Sequence, residues 1–502
     1  MKRPFFSIVI PTKARPHLVW MTIHSLLTQS FRDFEIIVSD NDSVLDCKKS
    51  VQAFSDERIR YYHTPKDLSM ADNWQYGLSF ARGEYVGFIQ DKMYYYTDSL
   101  QIFYDQIQTH HFPATVFSGV DYAYLCSRSD QSDQSDQSDQ YEGGGFIFRR
   151  KERTGRTRVF SSDEMVDFIL RWDVCGNELN WLAYASIMGG VVHRNVIDSI
   201  GNKYGTFFLS DVPDFGQNLI TAAIGEKHVA LYDNLSVIHM VDPNKTNGAS
   251  CSQKYSRMCD FTAAMAHDCW KHAVLPGYHA TNLNLVTGEH GYLIDRCEEL
   301  RGKRTNRLNV LIGISLQKMM YDPNDAPTER EEQIFKDAIE TLSEEEKRIY
   351  EAKRKEYQSY TENGGVVPNI FNENAVCQSQ YYADMKKSVS WEWIASIDTF
   401  VKEFCHRKKV YCYGAGKYGE KVFLYLQHLG IEIEGFLVST TPEISSLHDR
   451  PVLPVCRVED WRDTSVILGL DFVHHESVRH LLEEHGCHSV FGDLYYPDLL
   501  GS

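Results

Sequence analysis

The sequence predicts an α/β protein in three parts: a mostly parallel sheet domain over residues 1–250, a helical region over 251–402, and a smaller α/β domain over 403–502. Three observations carry this prediction. The first 100 residues alternate apolar strand-like runs with helical patterns, as βα units do. From Ser256 to about Val401 the pattern turns helical, and after Lys408 the βα rhythm returns.

In the first part the strand candidates are Phe6 to Ile10, Glu35 to Ser39, Ile59 to His63 and Tyr85 to Ile89, with helical spacing at Leu18 to Leu27 and Met70 to Ala81. Four tandem Ser-Asp-Gln copies fill residues 129–140, followed by Gly143 to Gly145. So polar a repeat cannot offset its ordering entropy and reads as a surface loop. In the helical region, Thr328 to Tyr360 is dense in Glu and Lys/Arg at i,i+4 spacing, the pattern of a solvated or partner-facing helix pair. The last part reads as a strand at Val410 to Tyr413, a glycine turn, a helix at Tyr418 to Leu429 and a strand at Ile433 to Val438.

Composition narrows the function classes. A single core usually stops growing at about 250–300 residues, so 502 residues with 43% hydrophobic content form more than one. The opening MKRPFFSIVIPT has a basic start and a short apolar run, but Pro11 cuts it, which suits a strand better than a signal peptide. No stretch approaches the ~20 apolar residues of a spanning helix, so membrane contact is expected to be peripheral. Twelve cysteines without a CxxC pair suit a reducing compartment, the cytoplasm. The net charge of -17 argues against a broad nucleic-acid footprint. The basic run Arg149, Arg150, Lys151, Arg153, Arg156 and Arg158 reads first as a solvated edge.

Parallel sheets bind ligands at the carboxyl ends of their strands, so Pro11 to Arg15, Asp40 to Ser43 and Gln90 to Lys92 are expected to share one crevice. Around them, the ordered blocks FSIVIPTKARP, FEIIVSDNDS and ADNWQYGLSFARGEYVGFIQD resemble the opening of a family 2 glycosyltransferase. The likeness covers about the first 100 residues well and extends loosely to about Asp242. It implies a Rossmann-like domain of the GT-A type, a nucleotide-sugar donor, and a glycan or lipid-linked acceptor in bacterial lipopolysaccharide or capsule-type assembly. That setting places the protein in the cytoplasm or at the inner face of the cytoplasmic membrane.

Carried over by position, the resemblance puts Pro11, Thr12 and Asp40 in the nucleotide pocket. A carboxylate there can accept the N3–H of uracil, which cytosine cannot offer, so a uridine nucleotide is favoured. Asp40 also reads as a turn former in its Asp-Asn-Asp-Ser cluster. Arg15 is a candidate phosphate contact. Asn73 resembles the family's polar contact near the donor, although a helix-start residue would look the same.

The family's acidic Asp-x-Asp signature is eroded here to Gln90, Asp91 and Lys92. One carboxylate plus substrate phosphates can still hold Mg2+ or Mn2+, with Asp91 as ligand, because Mg2+ keeps several waters. Alternatively, the Lys92 ammonium sits beside the leaving diphosphate and supplies the charge. For the general base the resemblance points to GNKYGTFFLSDVPDFGQNLITAAI, with Asp214 preferred over Asp211 and helix capping as the rival role. His239 falls where some relatives have a metal or diphosphate contact, and it also reads as a structural histidine.

In the last part, Gly414, Gly416 and Gly419 form GxGxxG between a predicted strand and helix, a weak phosphate-binding signal. The next strand ends in Val438-Ser439-Thr440 without the acid that grips a nicotinamide ribose, so NAD binding is not expected. This part resembles the Rossmann-like nucleotide-binding modules appended to bacterial surface-polysaccharide enzymes. The expected function is an inverting glycosyltransferase. Two alternatives stand beside it: a nucleotide-sugar-binding scaffold with reduced catalysis, and a nicotinamide-dependent sugar oxidoreductase built on the C-terminal domain.

Overall fold

The computed structural model describes residues 3–13, 15–41, 47–52, 54–125, 146–148, 153–172, 187–240, 269–318, 327–362, 401–442, 444–470 and 474–491. The Ser-Asp-Gln repeat at 129–140 lies outside them. The chain divides into two compact units, one of residues 1–123 and 148–388, the other of 124–147 and 389–502.

The first unit is built on one sheet whose strands are β1 (Phe6–Thr12), β2 (Phe34–Asp40), β3 (Ile59–His63), β4 (Tyr85–Phe88), β5 (Met93–Tyr95), β6 (Thr115–Leu125), β7 (Phe146–Phe148), β8 (Thr157–Ser161), β9 (Gly190–His193) and β10 (Lys227–Met240). Their order is β3-β2-β1-β4-β9-β6-β10-β5, with β8 beside β10. The four strands read from sequence are all present and pair in parallel, β1 lying between β2 and β4. Beyond β4 the pairing turns antiparallel, Tyr85 opposite His193. The sheet is GT-A-like, as the resemblance implied, with a parallel half read from the sequence and an antiparallel half that was not.

Helices α1 (Pro16–Leu27), α2 (Lys48–Gln52), α3 (Met70–Ser79), α4 (Ser99–Thr109), α5 (Ser162–Arg171), α6 (Arg194–Tyr204) and α7 (Gln217–Ile224) accompany the sheet. The α3 helix packs so closely that a Cβ at Gly77 would stand 2.7 Å from a Val9 methyl and 3.0 Å from the Ser39 Cβ. Ser69, not Asn73, caps it, accepting the Asp72 N–H at 3.1 Å.

The helical region differs from the expected separate part. Its described helices α8 (Asn282–Arg296), α9 (Arg307–Lys318), α10 (Glu329–Glu340) and α11 (Glu344–Glu362) belong to the first unit. The reason is apolar: Leu283, Val286, Leu293, Val310 and Leu311 join Phe168, Leu170, Leu219 and Ile220 in one buried cluster. The charged stretch does form a helix pair, α10 and α11, with a Thr328–Glu331 capping box at its start.

The second unit carries β11 (Lys409–Tyr413), β12 (Gly435–Val438), β13 (Ser446–Leu447), β14 (Arg450–Pro454), β15 (Thr464–Leu468) and β16 (Val490–Phe491), with α12 (Lys417–His428) and α13 (His475–Glu484). The order β13-β14-β12-β11-β15-β16 is parallel except at β13. It is the expected Rossmann-like arrangement, with its strand order reversing at β11 and β15.

At the amino-end edge of the first sheet, buried Glu35 accepts from Ser7 Oγ at 2.7 Å, the Arg82 N–H at 2.8 Å, Arg60 at 2.9 Å and the Arg82 guanidinium at 2.6 Å. Burial alone would raise its pKa, but the bonds from Arg82, Ser7 and Arg60 outweigh that and hold it below the usual carboxylate range. Glu35 therefore contributes stability that is fully present above that range and is lost as the pH falls through it. Glu35→Ala is expected to cost about 2 kcal/mol in urea unfolding at neutral pH, reduced from the fully buried case because the Arg82 side chain is 44% exposed. The deficit should shrink towards acid pH. An unchanged midpoint at neutral pH would show that the arginines gain nothing from the pairing.

Candidate active site

The carboxyl ends of β1, β2 and β4 converge as expected. Asn41 N donates to Thr12 O at 2.9 Å, joining the ends of β1 and β2. Thr12 Oγ1 donates to Asp91 Oδ2 at 2.8 Å and Arg15 donates to Asp91 Oδ1 at 3.0 Å. Asp91 is 3% exposed and Lys92 8%, so both charges of the turn after β4 are largely withdrawn from water. Pro11 lies buried in β1 beside Thr12.

Thr22 and Ser25 of α1, and Gln29 just beyond its end, hold this turn and the strand after it from beneath. Thr22 Oγ1 donates to Asp91 O at 3.0 Å and Met93 O at 2.8 Å. Ser25 Oγ accepts from Tyr95 N at 3.3 Å, and Gln29 Nε2 donates to Tyr96 O at 2.7 Å. These buried polar groups were not singled out from the sequence. The i, i+3 spacing of Thr22 and Ser25 within a mostly apolar helix was the available signal.

Asp40 is fully buried at the end of β2, and its Oδ2 accepts from Cys47 N at 2.7 Å and Tyr61 Oη at 2.8 Å. It thereby ties Cys47 to the end of β2 and orients a β3 tyrosine; the rest of the Asp-Asn-Asp-Ser cluster from Asp42 on lies outside the described residues. Asn73 serves as a tie between α3 and β2: its Oδ1 accepts from Ser39 Oγ at 2.7 Å.

The segment after α6 is brought beside β4 by aromatic packing and one glutamine. Trp74 stacks on Phe88 at 4.9 Å, and Phe208 meets both edge-on. Gln75 Oε1 accepts from Thr206 Oγ1 at 2.8 Å, Phe207 N at 3.1 Å and Phe208 N at 3.3 Å. Gln75 was also missed in the sequence, hidden beside the motif residues Asn73 and Trp74.

This docking places Asp214 within electrostatic range of Lys92. Asp214 keeps part of its surface open, but its Oδ1 is buried without a hydrogen-bond partner. Burial pushes its pKa up to about 6, with Glu289 adding to the rise while its own and Phe215's backbone N–H groups and Lys92 oppose it. The rival role as a helix cap is not what the geometry shows. Gly216 occupies the cap of α7, and no side chain caps that helix. Asp211 lies in the same loop, its N–H donating to Glu289 Oε2 at 3.1 Å.

Thus Thr12, Arg15, Asp91, Lys92 and Asp214 are assembled around one region, with Asp40 at its edge. His239 ends β10, and its side chain lies outside the described residues. The GxGxxG glycines belong to the second unit. There Gly414 has φ +107°, and a Cβ on Gly419 would stand 1.9 Å from Gly414 O, so two of the three glycines serve the tight turn and the helix–strand approach. Gly416 caps α12 with open space around it.

The fit of a divalent cation can be judged from the donors. Among the described residues no three His, Cys, Asp or Glu side chains gather as a metal-binding group. The Asp91 oxygens already accept from Thr12 and Arg15. A metal at Asp91 would sit against the Arg15 guanidinium, whose charge opposes a second cation there.

Residues 7–163 match the family model described as Glycosyl transferase family 2. A GalNAc(5)-diNAcBac-PP-undecaprenol beta-1,3-glucosyltransferase of Campylobacter jejuni is 38% identical over 91 residues, 18% of this chain and 29% of that protein. A UDP-Glc:alpha-D-GlcNAc-diphosphoundecaprenol beta-1,3-glucosyltransferase of Escherichia coli is 26% identical over 96 residues, 19% of this chain and 38% of that protein. Both matches span well under half of the relative's length. Among solved structures, S. aureus TarS 1–349 in complex with UDP-GlcNAc aligns at 13% identity and a TM-score of 0.39, covering 71% of this chain and 92% of that one.

Gln75→Ala leaves three donors of the 206–208 segment without their acceptor. We expect a stability loss of about 2 kcal/mol in urea unfolding, together with faster amide exchange at Phe207 and Phe208. Unchanged exchange there would show that the aromatic packing alone docks the segment.

Proposed function

We propose that the chain, whose residues 7–163 match the Glycosyl transferase family 2 model, transfers a sugar, with inversion, from a uridine diphosphate sugar to a hydroxyl of a glycan or lipid-linked acceptor in bacterial surface-polysaccharide assembly. The observation that carries this reading is the Asp214 carboxyl, buried on one oxygen and facing the Lys92 charge at the strand ends.

In this scheme the Asp214 carboxylate takes the proton of the acceptor hydroxyl. The acceptor oxygen bonds to the anomeric carbon as the bond from that carbon to the diphosphate oxygen breaks. One displacement inverts the centre, and uridine diphosphate leaves with its charge met by Arg15 and Lys92. Asp91 orients Arg15 instead of serving as a cation ligand. Asp40 is fully buried and held by Cys47 and Tyr61, so its part in this scheme is to shape the uridine pocket from behind the strand ends.

Two relatives are named for undecaprenol-linked acceptors, which supports a lipid-linked acceptor here. No helix among the described residues is long and apolar enough to cross a membrane. Access to such an acceptor would then be peripheral, at the inner face of the cytoplasmic membrane.

Release of uridine diphosphate from a panel of donor sugars tests the scheme. Asp214→Asn should lower turnover by about 100-fold or more. In the wild type the rate should rise with pH through about 6, because the base acts only when ionised; undiminished turnover in the mutant would remove Asp214 from the role. A second measurement concerns the cation. Turnover should survive a chelator and fall with Arg15→Ala or Lys92→Met, whereas full loss on chelation with recovery in Mn2+ would return Asp91 to metal binding.

A further inference from the structure

We propose that Glu289, supplied by α8 from outside the segment that matches the family model, is a positioning residue for Asp214. This inference rests on the reading of Asp214 as the base. Glu289 is 1% exposed, and its Oε2 accepts from Ser210 Oγ and from Asp211 N. Those donors lie just before Asp214 in the chain. Just after it, the next residue of α8 takes hold: the His290 ring meets Phe215 O through Nε2 at 3.3 Å. Burial pushes His290 down to about 4, so the ring is neutral at ordinary pH and Nε2 carries the proton it donates.

Two consecutive side chains of one helix therefore grip the loop on both sides of the carboxylate. The loop is shaped to be gripped. Gly216 N donates to Val212 O at 2.8 Å, and a Cβ at Gly216 would stand 2.0 Å from Ser210 Oγ and 3.5 Å from the Glu289 Cβ. Any larger residue there would displace the serine from its carboxylate. Val212 packs with Leu285 of α8 and with Cys269, so the platform is apolar beneath and polar at its tip.

Glu289 also acts through charge. The groups facing Asp214 are Lys92 from the turn after β4 and Glu289 from α8. Those around Glu289 are Ser210, Asp211, Cys269 and the backbone of Val212, with His290 beside it in the helix. A second carboxyl near Asp214 makes the ionised base harder to form and a stronger proton acceptor once formed. A brace without this role would hold the loop and leave the titration of the base untouched.

The full chain can be tested with Glu289→Gln and Glu289→Ala, using uridine diphosphate release from the donor the wild type turns over best. The amide oxygen of Glu289→Gln can still accept from Ser210 and Asp211 N but removes the charge. Its turnover at neutral pH should stay near wild type while the acid limb of the kcat profile moves lower by roughly half a unit to one unit. Glu289→Ala should lose kcat on the order of 10- to 100-fold with little change in donor KM. Calorimetric binding of uridine diphosphate should be unchanged in both, which verifies that the nucleotide pocket is folded. Ser210→Ala combined with Glu289→Ala should lose no more than the worse single variant.

An unmoved acid limb in Glu289→Gln, or an alanine variant that unfolds sooner yet keeps wild-type kcat, would overturn the proposal. Failure of the underlying reading looks different. In that case Asp214→Asn keeps its turnover, and its acid limb coincides with that of the wild type.

Discussion

A carboxylate withdrawn from water must find partners, and Asp91 organises the site by finding them on two separate pieces of the fold. Its side chain takes the Thr12 hydroxyl from the end of β1 and the Arg15 guanidinium from the start of α1, while Thr22 of α1 holds its backbone oxygen. Three segments that meet only at the carboxyl edge of the sheet are thereby fixed to one another. An arginine aimed by a buried acid is pre-organised, and pre-organised charge is what a departing diphosphate requires. The erosion of the acidic signature to a lone Asp thus has a structural counterpart: the remaining acid directs a cation that belongs to the protein itself.

The second half of the site depends on docking, not pairing. Trp74, Phe88 and Phe208 bury aromatic area against one another, and Gln75 satisfies the backbone of the segment they capture. Asp214 follows a few residues later and inherits its position from that contact and from α8. Its environment makes a useful acid–base group: enough burial to raise its proton affinity, with Lys92 near enough to limit the rise. The helical region is therefore packed against the loop that carries Asp214, although nothing in its own charged composition suggests this.

Much of the fold was legible because its signals are local. Strand-length apolar runs, helical periodicity and glycine turns named β1 to β4, α1, α3 and the strand–turn–helix of the second unit to within a few residues at their ends. The crevice was legible for the same reason, since parallel strands place their carboxyl ends together whatever the side chains are. What escaped were residues whose importance lies in distant partners. Gln75 and Glu289 drew no assignment from the sequence, being polar residues within helical segments. Each instead satisfies backbone groups more than 70 positions away in the chain. Asn73 was singled out as a contact near the donor, and in the fold its Oδ1 accepts from Ser39 Oγ.

By itself, the sequence determined the βα order, the parallel edge that gathers Thr12, Asp40 and Asp91, and a resemblance over about the first 100 residues to a transferase family whose model matches residues 7–163. Periodicity and turn chemistry act over a few residues, so they can be read without knowing the fold. Only the tertiary structure decided that Asp91 pairs with Arg15, that Gly216 and not Asp214 caps α7, and that α8 brings Glu289 against the loop bearing Asp214. Those outcomes depend on which buried charges and donors meet after the chain has packed. Burial sets the free-energy cost of leaving each one unpaired, and burial is a property of the packed chain.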